Sequence, residues 1–362
     1  MEKLELNFYR DKKVFVTGHT GFKGSWLCKM LLEAGAEVVG YALEPPTSPS
    51  LFKLCRLDRE MRSVIGDVRD FTKLSGTVKE ANPDLIFHLA AQPLVRESYT
   101  SPRLTYETNV MGTVNLLESV RVIHRKMVSV VNVTTDKVYH NREWLWGYRE
   151  DENLNGFDPY SNSKSCSELV SGCYRNCFFQ GSGIPISTVR AGNVIGGGDF
   201  SKDRIVPDCV RAVQQKQPIF VRNPHSVRPY QYVLDPLFAY LMIAQKQYEN
   251  PLCADSYNVG PEENGCISTG ELVSLFCRIW GQGASWQHQP DSGPGEATFL
   301  KLDCSKLKSK LCWRPHWDIR TAVEKTVEWT KEFLYHGNIL SCMERQIDAF
   351  QRVPEEKRQV VG

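Results

Sequence analysis

The sequence has no apolar run near the ~20 residues that a membrane-spanning helix needs. Its opening residues, Met1-Glu2-Lys3-Leu4-Glu5, lack an apolar signal core. Neither sign of charge prevails: 44 Lys and Arg stand against 42 Asp and Glu, a net charge of +2. That balance gives no basis for binding nucleic acid or an anionic membrane. No Cys-x-x-Cys occurs and no His/Cys spacing suits zinc, so no metal is expected. Internal repeats and low-complexity tracts are absent too. Cysteine is not scarce, but the twelve are scattered, with Cys173 and Cys177 the closest pair. Without a secretion signal they read as reduced, mostly buried thiols rather than a disulfide framework. The expected compartment is the cytoplasm.

What is present is an alternation. The chain has 362 residues, 41% hydrophobic and 24% charged, enough for two lobes. Lys13 to Thr17 is a short β-branched and aromatic run, and a glycine-rich turn follows it. Ser25 to Ala34 then reads as a helix closed by Gly35, and Glu37 to Tyr41 as a second strand. Further strands are expected at Arg62–Ile65, Asp84–Leu89, Val128–Thr134 and Pro185–Arg190. Helices are expected at Phe71–Glu80, Tyr106–His124 and Tyr160–Phe179. Strands alternating with helices predict a parallel sheet covered on both faces. After about residue 191 the pattern breaks up, with Pro, Gly and Trp concentrated in 280–317. The reading is α/β: a doubly wound parallel sheet over 1–190, then a smaller mixed α/β lobe over 191–337. A charged tail, expected to be a loose helix, occupies 338–362. The boundary is interleaved, because residues 187–193 and a strand near 230–234 are candidates to return to the sheet.

Gly18, Gly21 and Gly24 space as Gly-x-x-Gly-x-x-Gly between the first strand and the first helix. Such a turn brings backbone N–H groups and a helix N-terminus against a pyrophosphate. Strand before and helix after are the context that a dinucleotide site requires. Phe22 belongs to the same turn. Asp67 and Val68, at a later strand end, are placed at an adenine edge, and Ala90, Ala91, Gln92 and Asn109 on the nicotinamide side. The acidic residue expected on the ribose is less clear, since Glu44 comes late. No arginine stands there for a 2′-phosphate, so NAD is favoured over NADP. His19 and Lys23 reach phosphate or sugar, or are solvated loop residues.

Residues 131–164 carry the chemistry. Val-Asn-Val-Thr-Thr135-Asp136-Lys137 is followed by Tyr160-Ser-Asn-Ser-Lys164. On a helix, Tyr160 and Lys164 share a face. A nearby ammonium stabilises phenolate, so Tyr160 can act as a base below its ordinary pKa of roughly 10. Thr135 can donate to the same substrate oxygen. Asp136 and Lys137 add an acid and a base that plain hydride transfer does not need. Trp144, Trp146 and Tyr148 lie between the two segments. Packing is expected for at least two of them.

This order resembles the extended short-chain dehydrogenase/reductase superfamily over about residues 10–335, and so implies a Rossmann-type sheet. Thr135-Asp136-Lys137 sits where its nucleotide-sugar 4,6-dehydratases carry a hydroxyl residue, an aspartate and usually a glutamate. Lysine in the third place resembles the CDP-glucose 4,6-dehydratase branch. So do the stretches from Gly18 to Trp26, Glu143 to Glu150, Arg190 to Asp199 and Asp203 to Asp208. Val138 stands where cysteine is as readily expected.

The resemblance implies a redox-neutral dehydration with NAD: oxidation at the sugar C4, elimination across C5–C6, and hydride return to C6. Tyr160, Lys164 and Thr135 serve the first step. Asp136 is the acid for the C6 oxygen and Lys137 the base at C5. Asn193, Arg204 and Arg228 are expected around the substrate diphosphate, with Arg222 and Glu296 as weaker candidates. CDP-glucose is the expected substrate. The competing readings are a dehydratase of another nucleotide sugar (dTDP-glucose, a UDP-sugar, GDP-mannose), a 4-epimerase, and a non-catalytic NAD-binding regulator. The resemblance also implies a homodimer or homotetramer through the two long helices.

Overall fold

A computed structural model describes residues 6–122, 128–290, 293 and 298–352. Seven strands form the central sheet: β1 (Lys13–Thr17), β2 (Glu37–Ala42), β3 (Arg62–Ile65), β4 (Leu85–His88), β5 (Ser129–Val133), β6 (Ile186–Ala191) and β10 (Ser256–Val259). All are parallel, in the order β10-β6-β5-β4-β1-β2-β3. The order reverses between β1 and β4, and a crevice opens there at the carboxyl ends of the strands.

Side-chain alternation explains why helices cover both faces. Val14, Val16, Leu85, Phe87, Val131 and Val133 join the core on one face. Phe15, Ile86 and Val130 join the core on the other. A strand buried on both sides has no polar face to give to water, which is the parallel-sheet pattern. Local signals set the helix ends. Asp70 accepts from Lys73 N (3.0 Å) to start Phe71–Ala81, and Asn82 ends that helix in the left-handed region. Asp158 accepts from Ser161 N (2.9 Å), and Pro159 opens the helix Pro159–Tyr174.

The smaller lobe holds β7 (Asn193–Ile195), β9 (Val227–Tyr232) and β11 (Cys266–Ser268) in one sheet, and β8 (Ile219–Val221) with β12 (Trp286–His288) in another. The strand expected near 230–234 is therefore β9, and it lies outside the central sheet. The strand that does return is β10. The helix Leu234–Glu249 follows β9 directly, packs on β5 and β6, and carries the chain back. Joining parallel strands needs such a crossover.

The stretch read as a tail is, in its described part, the helix Ile339–Gln351. Ile339, Cys342, Met343, Ile347 and Phe350 are buried in the main core, and Lys29 meets Glu344 at 3.0 Å. Charge on its outer face hid this apolar stripe. All twelve cysteines are free thiols. Among the described residues no helix is long and apolar enough to cross a membrane.

Asp235 anchors the chain before that helix. Its carboxylate is fully buried and accepts from His316 N at 2.7 Å, and His316 stacks on Phe350. Burial pushes its pKa up to about 8, against opposing bonds from the backbone of His316 and Trp317. The folded state thus holds a proton that the unfolded chain loses near pH 4, so stability falls as pH rises from there to about 8. Asp235→Asn removes the ionisation. Its melting temperature, relative to the parent, is expected to rise by about 5 °C between pH 5 and pH 8. A constant offset in melting scans at the two pH values would show that Asp235 does not titrate in this way.

Candidate active site

The glycine turn lies at the crevice between β1 and β4. Gly18 has φ +75°, and a Cβ there would stand 2.7 Å from Ala90 N. A Cβ on Gly24 would stand 2.1 Å from the Gly18 carbonyl oxygen. Gly21 is the N-cap of Phe22–Glu33 and has no side-chain hydrogen bond to that end. The first-turn amides of Phe22, Lys23 and Gly24 are thus available to an anion, which fits a dinucleotide pyrophosphate. Val68 is buried against Gly112. The Asp67 carboxylate is gripped by Arg69 at 2.6 Å, which holds its pKa low. Ala90 and Ala91 are half-buried beside the turn. Gln92 N donates to Asn109 Oδ1 (2.8 Å), and Asn109 Nδ2 donates to Gln92 O (3.1 Å) and Ser163 Oγ (2.9 Å). This pair ties the loop after β4 to the helix Pro159–Tyr174. His19 turns away from the crevice, buried against Phe52 and bonded to Ser63.

A cleft of about 500 Å³ opens beside the turn. Thr135, Asp136, Lys137 and Tyr160 line it, with Lys23, Asn193, Arg204, Arg222 and Arg228. Residues from five separate parts of the chain thus meet on one surface. Lys164 lies just beneath, buried, with Nζ donating to Val133 O at 3.0 Å. Arg204 pairs with Asp199 (3.0 Å) and Arg222 with Asp203 (2.9 Å). Arg228 is buried at the base of the smaller lobe. Glu296 lies outside the described residues. Glu44 is exposed at the bend after β2. Trp144 and Tyr148 stack on each other at 5.3 Å, and Tyr148 stacks on Tyr139. Trp146 is largely exposed.

The electrostatics separate the roles. Burial raises Asp136, against the opposing pull of Lys137, Thr135 and Arg228. Thr135 Oγ1 donates to Asp136 Oδ1 at 3.0 Å, and buried Oδ2 has no partner among the described residues. A raised carboxyl pKa shifts such a group toward the protonated form that a general acid needs. Burial lowers Lys164 to about 8, and Glu168 opposes that shift. Tyr160 departs from expectation. Burial pushes its phenol up to about 12, although the Thr135 hydrogen bond pulls it down. The low-dielectric wall outweighs Thr135 and the charge of Arg204, because phenolate loses its solvation there.

Lys23 carries more than the sequence showed. Burial lowers it to about 7, aided by Arg204 and Lys164. Its place in the glycine turn was the available signal. Arg96, Tyr230 and Thr269 also line the cleft; Tyr230 lies in the same stretch as Arg228, and nothing in the local sequence marks Arg96 or Thr269.

The doubly wound sheet, the glycine turn and the Tyr-x-x-x-Lys cleft define a dinucleotide-dependent enzyme class. The family model described as GDP-mannose 4,6 dehydratase matches residues 15–326, and the chain belongs to that family. A CDP-glucose 4,6-dehydratase of Salmonella typhimurium is 48% identical over 353 residues, covering 96% of this chain and 98% of that protein. A probable dTDP-glucose 4,6-dehydratase of Sinorhizobium fredii is 25% identical, covering 92% and 99%. Among solved structures, a Bacillus cereus UDP-glucuronic acid 4-epimerase in complex with UDP-glucuronic acid and NAD has a TM-score of 0.77 at 24% identity, covering 88% and 99%. A Bacillus anthracis dTDP-glucose 4,6-dehydratase in complex with NAD has a TM-score of 0.75 at 21% identity, covering 90% and 97%. Both structures share the fold.

Proposed function

We propose that this protein is an NAD-dependent dehydratase. It converts CDP-glucose to CDP-4-dehydro-6-deoxyglucose and water, in the cytoplasm. The observation that carries the reading is one cleft wall on which the pair Asp136-Lys137 adjoins Thr135 and Tyr160. The 48% identical CDP-glucose 4,6-dehydratase supports the substrate. Gly18, Gly21 and Gly24 with the first-turn amides would hold the cofactor pyrophosphate. NAD, when bound, supplies a hydride acceptor for C4, a hydride donor for C6, and a positive ring charge. Tyr160 accepts the proton of the C4 hydroxyl, while Thr135 bonds the same oxygen and Lys164 favours the phenolate from below. The C4 ketone acidifies C5. Lys137 takes the C5 proton, and Asp136 gives its proton to the departing C6 oxygen. Arg204, Arg222, Arg228 and Asn193 bind the nucleoside diphosphate, with arginine suited to phosphate by its paired donors.

Mass spectrometry after incubation with CDP-, dTDP-, UDP- and GDP-sugars, without added reductant, tests the reading. Loss of one water from CDP-glucose alone is expected. Loss from another nucleotide sugar would replace the substrate, and an unchanged mass with inversion at C4 would make the protein an epimerase. For the base, Lys137→Met is expected to slow solvent-deuterium exchange at C5 about a hundredfold. Undiminished exchange would remove Lys137 from that role.

We also infer a homodimer. Residues 102–122 and 159–179 are helical and expose Leu104, Met111, Leu169 and Phe178. A two-fold axis would bury these on their own copies. Met111→Glu with Leu169→Glu is expected to give monomers in analytical ultracentrifugation. A parent that sediments as a monomer would sink the assignment.

A further inference from the structure

Behind the cleft lies a buried charge cluster that meets the cleft lining through Thr134. Glu168 is fully enclosed on the helix Pro159–Tyr174, one turn beyond Lys164 and two beyond Tyr160. One carboxylate oxygen accepts from Thr134 Oγ1, the residue just before Thr135. The other accepts from Thr188 Oγ1 (2.6 Å) and Arg190 Nη2 (2.9 Å) on β6. Arg190 in turn donates through Nη1 to Tyr139 Oη and to the Glu150 carbonyl, both at 2.9 Å. Tyr139 donates to Asn258 Oδ1 on β10 at 2.6 Å. One carboxylate therefore joins the helix of Tyr160 and Lys164 to the strand end that carries Thr135, Asp136 and Lys137.

A buried ion pair is weak evidence for stability, since hydrophobic replacements often serve as well. Its retention here calls for another reason, and the position supplies one. We propose that Glu168 is a positioning residue for the dehydration: its carboxylate sets Thr135 against Tyr160 and balances the charge of Lys164. The catalytic part rests on the dehydratase reading; the charge balance at Lys164 does not. Glu168 opposes the lowering of Lys164 by burial, so an ammonium persists beneath the phenol. The other titratable groups around this pair are His88 on β4, which burial holds neutral with a pKa of about 3, Lys23 on the first helix, and Tyr160 on the same helix. Arg190 and Tyr139 face Glu168 itself. Lys23 is lowered by burial and in part by Arg204 and Lys164, so its titration is coupled to that of Lys164 and only Lys164 itself is read.

Two readouts test this. Competitive acetylation with peptide mass spectrometry gives the titration of Lys164 without any substrate. The pH profile of kcat gives its alkaline limb. Glu168→Gln is expected to move both toward acid by about one pH unit, and Glu168→Asp to restore them. Arg190→Gln removes the guanidinium paired with the carboxylate and keeps its hydroxyl donors, so more of its charge is left to act on Lys164, and both readouts are expected to move toward alkali. That opposite displacement is one a merely structural role would not produce. An unmoved Lys164 titration in Glu168→Gln, or displacement in the same direction by both variants, overturns the proposal. If Glu168→Gln does not fold, Arg190→Gln decides it: an alkaline displacement supports the charge balance and none overturns it. If the parent enzyme makes no 4-keto sugar, the dehydratase reading fails while the titration still judges Glu168.

Discussion

Tyr160→Phe is expected to lower kcat about a thousandfold with little change in KM. Positioned proton transfer is worth about 10²- to 10⁴-fold, and Tyr160 is the only phenol besides Tyr230 on the cleft wall among the described residues. The substitution deletes one oxygen from a buried ring and leaves its packing intact. Its melting temperature is therefore expected to stay within about 2 °C of the parent. The reason for a large kinetic effect is the cost of the phenolate. Burial holds the phenol near 12, so in the proposed reaction bound NAD would have to supply a positive ring charge that, with Lys164, favours the phenolate. A variant that keeps a tenth of the parent rate would move the base elsewhere, and Tyr230 would be the next residue to change.

Gly24→Ala is expected to abolish tight NAD binding, raising its Kd at least about tenfold in titration calorimetry, and to lower the melting temperature by about 5 °C. The new Cβ would meet the Gly18 carbonyl oxygen at 2.1 Å and His19 Cα at 2.8 Å. Both are backbone, so the turn must open and carry its amides away from the pyrophosphate. Gly76→Ala supplies the contrast. Nothing lies within 4 Å of a Cβ there, in the interior of Phe71–Ala81. It is expected to stabilise by about 0.5–1 kcal/mol. Equal effects of the two alanines would mean that the turn has room, and the pyrophosphate assignment would lose its geometric support.

The amino-acid order alone determined the parallel sheet, the glycine turn and the Thr135–Lys137 and Tyr160–Lys164 segments. Each is a local pattern: period, spacing and context lie within a few turns of chain. The smaller lobe was harder to read. Whether β9 or β10 joins the central sheet depends on the long helix between them, and both strands are short and mix polar with apolar residues. Helix Ile339–Gln351 read as a loose helix in a charged tail, and its packing was not legible because its apolar stripe has meaning only against the core it covers. Tertiary structure also decided the protonation of the site. Spacing put Lys164 near Tyr160 and suggested a lowered phenol, but burial by distant segments raises it. The same burial raises the pKa of Asp136, and the fold draws Glu168, Arg190 and Tyr139 into one cluster. Solvation is set by every element that closes over a group, and no short stretch of sequence carries that sum.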